Sequence, residues 1–356
     1  MAGGRTLGKP KNRFWHWLQY VGVRIADALL VCLPWGVARW LARRMGDLGR
    51  LLDRSTRKKE MIQNIRAAFP EMTAPQARAV AWECYRWLPE SILDFRKFMQ
   101  VMSKGKADGL LTTSGEELLD GSERSTGVIL VSGHLGAWEL GGIASAAVGY
   151  PVLSFARSRS NPWMETYLRR LRESTGQRIL NINGATRRAI EALREGQNIA
   201  LLIDQDARSS GMFVEFFGRP ASTVTSVARM SIYTGAPVAL VCARRVPGKN
   251  RFHMSISEVI YPDRNAPRRQ EVFRITQRCT KLLEDFIRER PAEWLWFHRR
   301  WKTFPGKYAD PARSEPRYRP SGEAVPVQRW GNAMLPASGE RDARVPQGSG
   351  GPALDG

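Results

Sequence analysis

Apolar runs alternate with amphipathic stretches from residue 127 to residue 290. Six of the apolar runs predict β-strands, at 127–132, 151–155, 177–181, 198–203, 237–245 and 252–259. Five stretches between and after them have helical periodicity, at 137–148, 162–174, 184–195, 224–234 and 270–290. Because strands and helices alternate, the sequence predicts an α/β fold with a largely parallel central sheet covered by helices.

The N-terminal segment at 14–45 is apolar and rich in tryptophan, but Arg24 and Asp27 divide it. A spanning helix needs about 20 mostly apolar residues, and a central arginine costs roughly 2.5–3.5 kcal/mol on insertion scales. Arg24 and Asp27 stand three apart on a helix, so they could neutralise each other.

Four tryptophans and three arginines of this segment have the character of interfacial anchors. They are Trp15, Trp17, Trp35, Trp40, Arg39, Arg43 and Arg44. We predict membrane attachment, by an interfacial helical hairpin or one imperfect span, and assign residues 1–54 to N-terminal membrane-associating helices. The alternative is a pair of soluble core helices broken at Pro34.

A helical pattern continues over residues 55–102 and contains a restart. Thr73 can cap the second helix, Pro75 suits an early helical turn, and Gln76 occupies the capping-box position. The sequence therefore predicts two helices here.

The composition changes after residue 305, where Gly, Pro, Ser, Arg and Asp dominate and periodicity is almost absent. Such a segment cannot bury enough apolar surface to fold by itself. We therefore predict an α/β domain over 55–305 and a disordered tail over 306–356.

The chain carries 55 Lys and Arg against 34 Asp and Glu, a formal net charge of +21. Such a charge favours anionic partners, which include nucleic acid, an anionic membrane face, a phosphorylated substrate and an acidic protein. The four cysteines lie far apart without a CxxC pair, which argues against a zinc site or a disulfide framework. We therefore predict no metal and no cofactor.

One strand-to-helix turn carries a candidate catalytic pair. The stretch VSGHLGAWE at 131–139 follows an apolar strand and contains His134 and Glu139. With His134 before the helix and Glu139 one turn inside it, the carboxylate could reach the imidazole. A carboxylate on one ring nitrogen raises the basicity of the other, which could then deprotonate an attacking hydroxyl. From the spacing alone, the alternative is a half-buried histidine and a surface glutamate.

Two further segments carry candidate functional side chains. IDQDARSSG places Asp204 and Asp206 at another strand end that faces the same crevice. Two acidic residues there could bind a metal, but the segment has no His or Cys nearby and the chain has no Gly-Lys-Ser/Thr loop, which argues against one. EWLWFHRRWK combines three tryptophans with basic residues that include Arg299 and Arg300. This second pattern suits stacking on nucleic-acid bases, or an amphipathic element that holds acidic lipid or a carrier protein.

Seven ordered blocks resemble the bacterial lipid A biosynthesis (lauroyl/myristoyl) acyltransferase family, which also contains phosphatidylinositol mannoside acyltransferases. The blocks are NIRAAFP (64–70), SGHLGAWE (132–139), ARSRSNPWMETYLRRLRESTG (156–176), GQNIALLIDQDA (196–207), VEFFGRPASTVT (214–225), TGAPVALVCARR (234–245) and PAEWLWFHRRWKTFP (291–305). SGHLGAWELGG also resembles the H-x4-[DE] signature of the lysophospholipid acyltransferase-like superfamily.

The resemblance implies transfer of a fatty acyl group from an acyl carrier protein or acyl-CoA thioester to a hydroxyl of a membrane glycolipid, with a lipid A precursor as the expected acceptor. It implies that His134 is the general base and that Glu139 is its orienting and charge-stabilising partner. It also implies that Asp204 and Asp206 shape the acceptor site.

Three arginines are assigned to substrate binding. Arg157 matches the family's arginine after the second strand and would bind a phosphate or the developing oxyanion. Arg299 and Arg300 are expected to contact acidic lipid or carrier protein, by the same resemblance.

Alternative interpretations of the acceptor and of the class of function stay open. A phosphatidylinositol mannoside, or another glycolipid or lysolipid, is the alternative acceptor. A noncatalytic basic membrane- or nucleic-acid-binding protein is the alternative of a different class, whereas the enzyme itself needs no nucleic acid. The expected location is the bacterial inner (cytoplasmic) membrane, with the acyltransferase domain at 55–305 facing the cytoplasm.

Overall fold

The computed structural model of the protein describes residues 10–102, 109–119, 125–147, 149–156, 159–174, 176–181, 184–305, 317–318 and 324–325. Its α-helices are α1 Pro10–Cys32, α2 Trp35–Leu52, α3 Arg57–Ala68, α4 Ala74–Met102, α5 Trp138–Ala147, α6 Pro162–Glu173, α7 Ala185–Arg194, α8 Ser226–Thr234 and α9 Arg268–Glu289. Its β-strands are β1 Leu111–Ser114, β2 Ile129–Ser132, β3 Val152–Ala156, β4 Arg178–Asn181, β5 Asn198–Leu202, β6 Met212–Phe216, β7 Arg219–Thr223, β8 Val238–Arg245, β9 Phe252–Ile260, β10 Arg317–Tyr318 and β11 Ala324–Val325. The tail predicted at 306–356 lies outside the described residues apart from β10 and β11.

Seven strands form the central sheet, in the order β1-β9-β8-β2-β5-β3-β4. Every neighbouring pair in this sheet is parallel except β8 with β9. The strands β2, β3, β4, β5 and β8 therefore all end at the same edge. This confirms the predicted α/β fold with a largely parallel central sheet.

Both faces of the sheet are covered, which explains why its strands are continuous apolar runs. Ile129 and Val131 of β2 join one core together with residues of α7, α8 and α9. Leu130, between them, joins the opposite core with residues of α4 and α5. Side chains thus alternate between two cores, as the pleat of a strand requires.

The six predicted strands and five predicted helices of the α/β region are all present, with ends within two residues of the prediction. The strand β1 was missed because LTTS, half-exposed at the sheet edge, contains no apolar run. The β6–β7 hairpin was missed because its turn uses Phe217 and Gly218, at φ values of 54° and 67°. A phenylalanine in that conformation is unusual, and burial of its ring holds it there.

The restart predicted at Thr73 is confirmed. The backbone N–H of Thr73 donates to Oε1 of Gln76 (2.7 Å), and the N–H of Gln76 donates to Oγ1 of Thr73 (3.4 Å). This reciprocal capping box fixes the point where α4 begins.

The N-terminal helices are attached to the domain through α4 and α6. Pro34, where the alternative of two soluble helices places a break, separates α1 from α2. Asp27 is ion-paired with Arg96 on α4 and accepts a hydrogen bond from Tyr167 on α6 (2.6 Å). The predicted partner, Arg24, donates instead to Tyr20 (2.9 Å). The main partner of Asp27 is therefore tertiary, because α1 packs with this face against the domain.

The outer surface of α1 and α2 is apolar. Of the 20 large apolar side chains that are exposed in the described part of the chain, 13 lie between Phe14 and Leu52. No described helix has both the length and the apolarity needed to cross a membrane. Association of residues 1–54 with a membrane stays a prediction.

Candidate active site

His134 lies at the carboxyl edge of the central sheet. The strand β2 ends at Ser132, and its neighbour β5 ends at Leu202, two residues before Asp204. The backbone N–H of Ile203 donates to the carbonyl of Ser132 (3.0 Å), which extends the pairing of the two strands. Because β2 and β5 are parallel and end side by side, the residues that follow them meet in one crevice.

The carboxylate of Asp204 is held by three donors. The imidazole Nδ1 of His134 lies 2.8 Å from Oδ1, and the backbone N–H of His134 donates to Oδ2 (2.7 Å). The indole Nε1 of Trp294 also donates to Oδ2 (2.9 Å). The side chain of Asp204 has no exposed surface, so these bonds take the place of hydration.

The pKa values of the two groups move in the directions of an ion pair. Burial would raise the pKa of the Asp204 carboxyl, but the charge and hydrogen bonds of His134 outweigh burial and lower it. Burial would lower the pKa of His134, but the charge and hydrogen bond of Asp204 raise it, and Glu139 adds to this. An ionised Asp204 accepts the Nδ1–H, which leaves Nε2 free to accept a proton.

The carboxylate of Glu139 forms a bidentate ion pair with Arg172 on α6. The Nη2–Oε1 distance is 2.7 Å and the Nε–Oε2 distance is 3.0 Å. The carboxylate that is hydrogen-bonded to His134 is thus Asp204 and not Glu139, because Glu139, second residue of α5, pairs with α6 instead. A catalytic role for Glu139 stays a prediction.

Two glycines let the loop between β2 and α5 approach its neighbours. A Cβ at Gly133 would lie 2.8 Å from Cδ1 of Leu283 and 3.2 Å from Cγ of Asp204. Gly136 has a φ of 57°, and a Cβ there would lie 2.4 Å from the carbonyl oxygen of Ala243. Glycine at both positions therefore lets the backbone before α5 pack against Asp204 and β8.

The segment EWLWFHRRWK is joined to the loop that carries His134. The backbone N–H of Leu295 donates to the carbonyl of His134 (3.0 Å), and Leu135 forms a single antiparallel bridge with Trp294. Trp294 and Trp296 are 1% and 2% exposed. Two of the three tryptophans of this segment are therefore buried in the protein interior and are not available for stacking on nucleic acid.

A second histidine faces the first. The ring centroids of His134 and His298 are 4.7 Å apart, and burial lowers the pKa of His298. The Nδ1 of His298 is buried without a hydrogen-bond partner in the described structure. One ligand atom each from His134, Asp204 and His298 all lie within 4.8 Å of one another, so these three could hold a divalent metal ion.

The two arginines of the same segment contact protein groups. Arg299 pairs with Glu60 on α3, with an Nη2–Oε1 distance of 2.8 Å. Arg300 is 1% exposed and donates to the carbonyl of Ser222 (2.6 Å) and to the hydroxyl of Thr223. Burial lowers the pKa of Arg300 to about 10. Both guanidiniums join elements of the fold here, and their substrate-binding roles stay predictions.

Asp206 is only partly satisfied by the protein. Its Oδ2 accepts a hydrogen bond from Oγ1 of Thr303 (2.9 Å), whereas its buried Oδ1 has no partner in the described structure. Since buried polar atoms are nearly always bonded, this oxygen suits a donor on a bound molecule. Asp206 therefore stays a binding candidate. Arg157, the predicted phosphate or oxyanion ligand, lies outside the described residues.

Residues 10–303 match the family model described as "Bacterial lipid A biosynthesis acyltransferase". This match covers most of the chain and includes both strand ends that form the crevice. The protein belongs to this family. It is therefore an acyltransferase, and the noncatalytic alternative is set aside.

Curated proteins similar to the chain include two from Escherichia coli (strain K12). The "Lipid A biosynthesis palmitoleoyltransferase" is 25% identical over 302 residues, which cover 82% of this chain and 92% of that protein. The "Lipid A biosynthesis lauroyltransferase" is 24% identical over 296 residues, with 82% and 93% covered. A "Phosphatidylinositol mannoside acyltransferase" from Mycolicibacterium smegmatis is 26% identical over 194 residues, with 52% and 60% covered.

In this member of the family, the sequence predicted the crevice but gave Asp204 a different role. The position of Asp204 after an apolar strand indicated the correct edge of the sheet. Its pairing with His134 depends on β2 and β5 being neighbours, and no local pattern of the sequence gives that order. The contact of His298 with His134 was missed because it depends on how the segment at 291–305 packs against the loop that carries His134.

Proposed function

We propose that this acyltransferase moves a fatty acyl chain from an acyl carrier protein or acyl-CoA thioester to a hydroxyl of a membrane glycolipid, a lipid A precursor. The observation that carries the proposal is the hydrogen-bonded pair of His134 and Asp204 at the carboxyl edge of the sheet. The family match and the names of the similar proteins from Escherichia coli support a lipid A-type acceptor.

In the proposed mechanism His134 is the general base. Its Nε2 takes the proton of the acceptor hydroxyl while that oxygen forms a bond to the thioester carbonyl carbon. The tetrahedral intermediate then breaks its C–S bond, and the imidazolium returns the proton to the leaving sulfur. The products are an ester and a free thiol. An acyl-enzyme is not required, because the thioester is already activated.

The two carboxylates near His134 have separate roles in this proposal. Asp204 fixes the tautomer and stabilises the imidazolium through its hydrogen bond and charge. Glu139 acts electrostatically, since its charge also raises the pKa of His134. We assign Arg172 to holding Glu139 in place.

We extend the proposal to the location of the enzyme, the bacterial inner membrane with the acyltransferase domain facing the cytoplasm. Exposed tryptophans on α1 and α2 support attachment, because indole rings favour the interface between lipid and water. Trp15 is 62% exposed and Trp40 is 56% exposed.

Acyl transfer by membranes that contain the full chain tests the proposal. The donors are acyl-acyl carrier protein and acyl-CoA, each radiolabelled in the acyl chain. The acceptors are a lipid A precursor, a phosphatidylinositol mannoside and a total lipid extract. Wild type is compared with His134→Ala and with His253→Ala. His253 is a matched control, because its ring contacts Thr112 and Ser114 on the edge strand β1.

We expect label in lipid with wild type and with His253→Ala, and at least about a 100-fold lower rate with His134→Ala. Equal rates for wild type and His134→Ala would exclude His134 as the base. The absence of transfer from every donor would overturn the proposed reaction. Label in the mannoside, with none in the lipid A precursor, would instead favour the alternative acceptor that the partial similarity to the Mycolicibacterium protein suggests.

A further inference from the structure

A groove lined by arginines runs between α7 and α8 and reaches the start of α9. Its volume is about 840 Å³. The arginines that line it are Arg187, Arg194, Arg229 and Arg268, and the acidic residue in its lining is Glu191. The proposed mechanism uses none of these residues.

The positive charge of the groove is largely uncompensated. Glu191 pairs with Arg187 (2.8 Å), and both side chains are well exposed. Arg194 lies over the ring of Tyr233, with Cζ 4.7 Å from the centroid, a contact that leaves its charge in place. No salt bridge within the described residues engages Arg194, Arg229 or Arg268. Three cations on three helices therefore face solvent together.

The floor between these cations is apolar. It is formed by Ile190 of α7, by Met230 of α8 and by Val224, which lies just before α8. The lining of α7 extends from Thr186 to Arg194, nine residues that span about 12 Å of helix. A basic rim around an apolar floor of this length fits an amphipathic acidic helix of a partner protein.

The groove and the first residue of α2 lie on different cores of the sheet. The helices α7, α8 and α9 pack on one core, whereas Trp35 of α2 and Leu171 of α6 pack on the other. None of the exposed apolar side chains of α1 and α2 lines the groove. Membrane attachment through these helices would therefore leave the arginines of the groove available to a soluble partner.

The groove also reaches the neighbourhood of the catalytic crevice. Its lining includes Val224, two residues after Ser222 at the end of β7. The carbonyl of Ser222 accepts a hydrogen bond from the backbone N–H of Ala207 (3.1 Å). Ala207 directly follows Asp206 in the segment that begins with Asp204. A partner in the groove would thus touch the polypeptide beside the site of acyl transfer.

We propose that this groove docks an acidic helix of the acyl carrier protein that presents the thioester. The proposal rests on the proposed function and specifies its donor as the carrier protein. Opposite charges would speed the encounter, and the apolar floor would retain the bound carrier.

The test compares two donors with the same acyl chain, lauroyl-acyl carrier protein and lauroyl-pantetheine, which lacks the acidic protein. The full chain carries Arg194→Glu and Arg229→Glu together. The matched control is Arg78→Glu, an exposed arginine on α4 that does not line the groove. The readout is the ratio of kcat/KM for the carrier donor to kcat/KM for the pantetheine donor.

We expect the double reversal to lower this ratio at least tenfold through KM, and Arg78→Glu to leave it within twofold of wild type. We also expect wild type to lose the advantage of the carrier donor as salt rises, and the double variant to show a weaker salt dependence. An unchanged ratio in the double variant would overturn the docking site while leaving the proposed reaction intact. Failure of wild type with both donors would instead overturn the proposed function.

A second measurement separates the carrier from the membrane. Binding of the same variants to vesicles of anionic phospholipid is followed by sedimentation. Vesicle binding that is unchanged by the double reversal, together with the lower donor ratio, supports a carrier site. Reduced vesicle binding with an unchanged donor ratio would show that the groove contacts lipid, and it would overturn the proposal.

Discussion

Two carboxylates lie near His134, and the protein surrounds them differently. Asp204 is fully buried and accepts hydrogen bonds from His134 and Trp294. Glu139 has a side chain that is 26% exposed, and both of its oxygens pair with Arg172. A buried carboxylate with every bond made is fixed, whereas a partly exposed ion pair exchanges partners with a small change in free energy. The comparison distinguishes a carboxylate that orients His134 from one that can adjust to a substrate.

Replacement of the buried carboxylate should have the largest effect. Asp204→Asn keeps the size of the side chain but removes its charge, and its amide no longer specifies the Nδ1–H tautomer of His134. We expect kcat/KM for the acyl donor, measured with saturating acceptor, to fall about 100-fold or more. Asp94→Asn is the matched control, because Asp94 is also a buried carboxylate but lies beside Arg245 and not His134. If the two variants lose activity equally, the orienting role of Asp204 is wrong.

The pH dependence of kcat/KM should rank the two carboxylates. His134 acts as a base when neutral, so activity rises with pH through its pKa. Asp204 raises that pKa most, by its charge and hydrogen bond, and Glu139 raises it less. The acid limb should therefore move to lower pH in Asp204→Asn, and by a smaller amount in Glu139→Gln. A larger shift in Glu139→Gln would mean that Glu139 is the main electrostatic partner in the working enzyme.

A double-mutant cycle should show whether Glu139 acts alone or as part of its ion pair. We expect Glu139→Gln and Arg172→Gln each to lower kcat/KM by roughly tenfold or less, and the double variant to lose little more than either single one. Coupling between residues in direct contact is typically about 0.5–3 kcal/mol. Additive losses would indicate that Glu139 leaves Arg172 when substrate binds and acts on His134 independently.

The fold was predictable to a large extent because its signals are local. Each buried parallel strand is a short apolar run, and each helix that covers the sheet has one apolar face. β1 and the β6–β7 hairpin were not predictable by the same signals. The strand β1 carries polar residues at an edge, and the hairpin turn depends on a buried Phe217 that packs against distant parts of the chain.

The site was predictable in part. His134 was found because the turn after an apolar strand is a local feature and because SGHLGAWE matches a known signature. The sequence predicts Glu139, which is close along the chain, as the partner of His134. The hydrogen-bonded partner is instead Asp204, which follows the neighbouring strand β5. The contacts of His134 with Asp204, Trp294 and His298 exist only because strand order and the packing of the segment at 291–305 bring them together. Periodicity carries no information on such long-range contacts.

Two glycine substitutions should test how rigidly the Asp204 carboxylate is held, and their effects should be the smallest of those predicted. A methyl group at Gly133 would contact Leu283 and the Asp204 carboxyl, so Gly133→Ala should lower the free energy of unfolding by about 1–3 kcal/mol and should also lower activity. Gly141, on α5 near Glu139, has no atom within 4 Å of its Cβ position. Gly141→Ala should therefore raise the free energy of unfolding by about 0.5–1 kcal/mol. Urea unfolding in detergent measures both changes. If Gly133→Ala were tolerated as well as Gly141→Ala, the carboxylate of Asp204 would be free to move, and the rigidity assigned to it would be wrong.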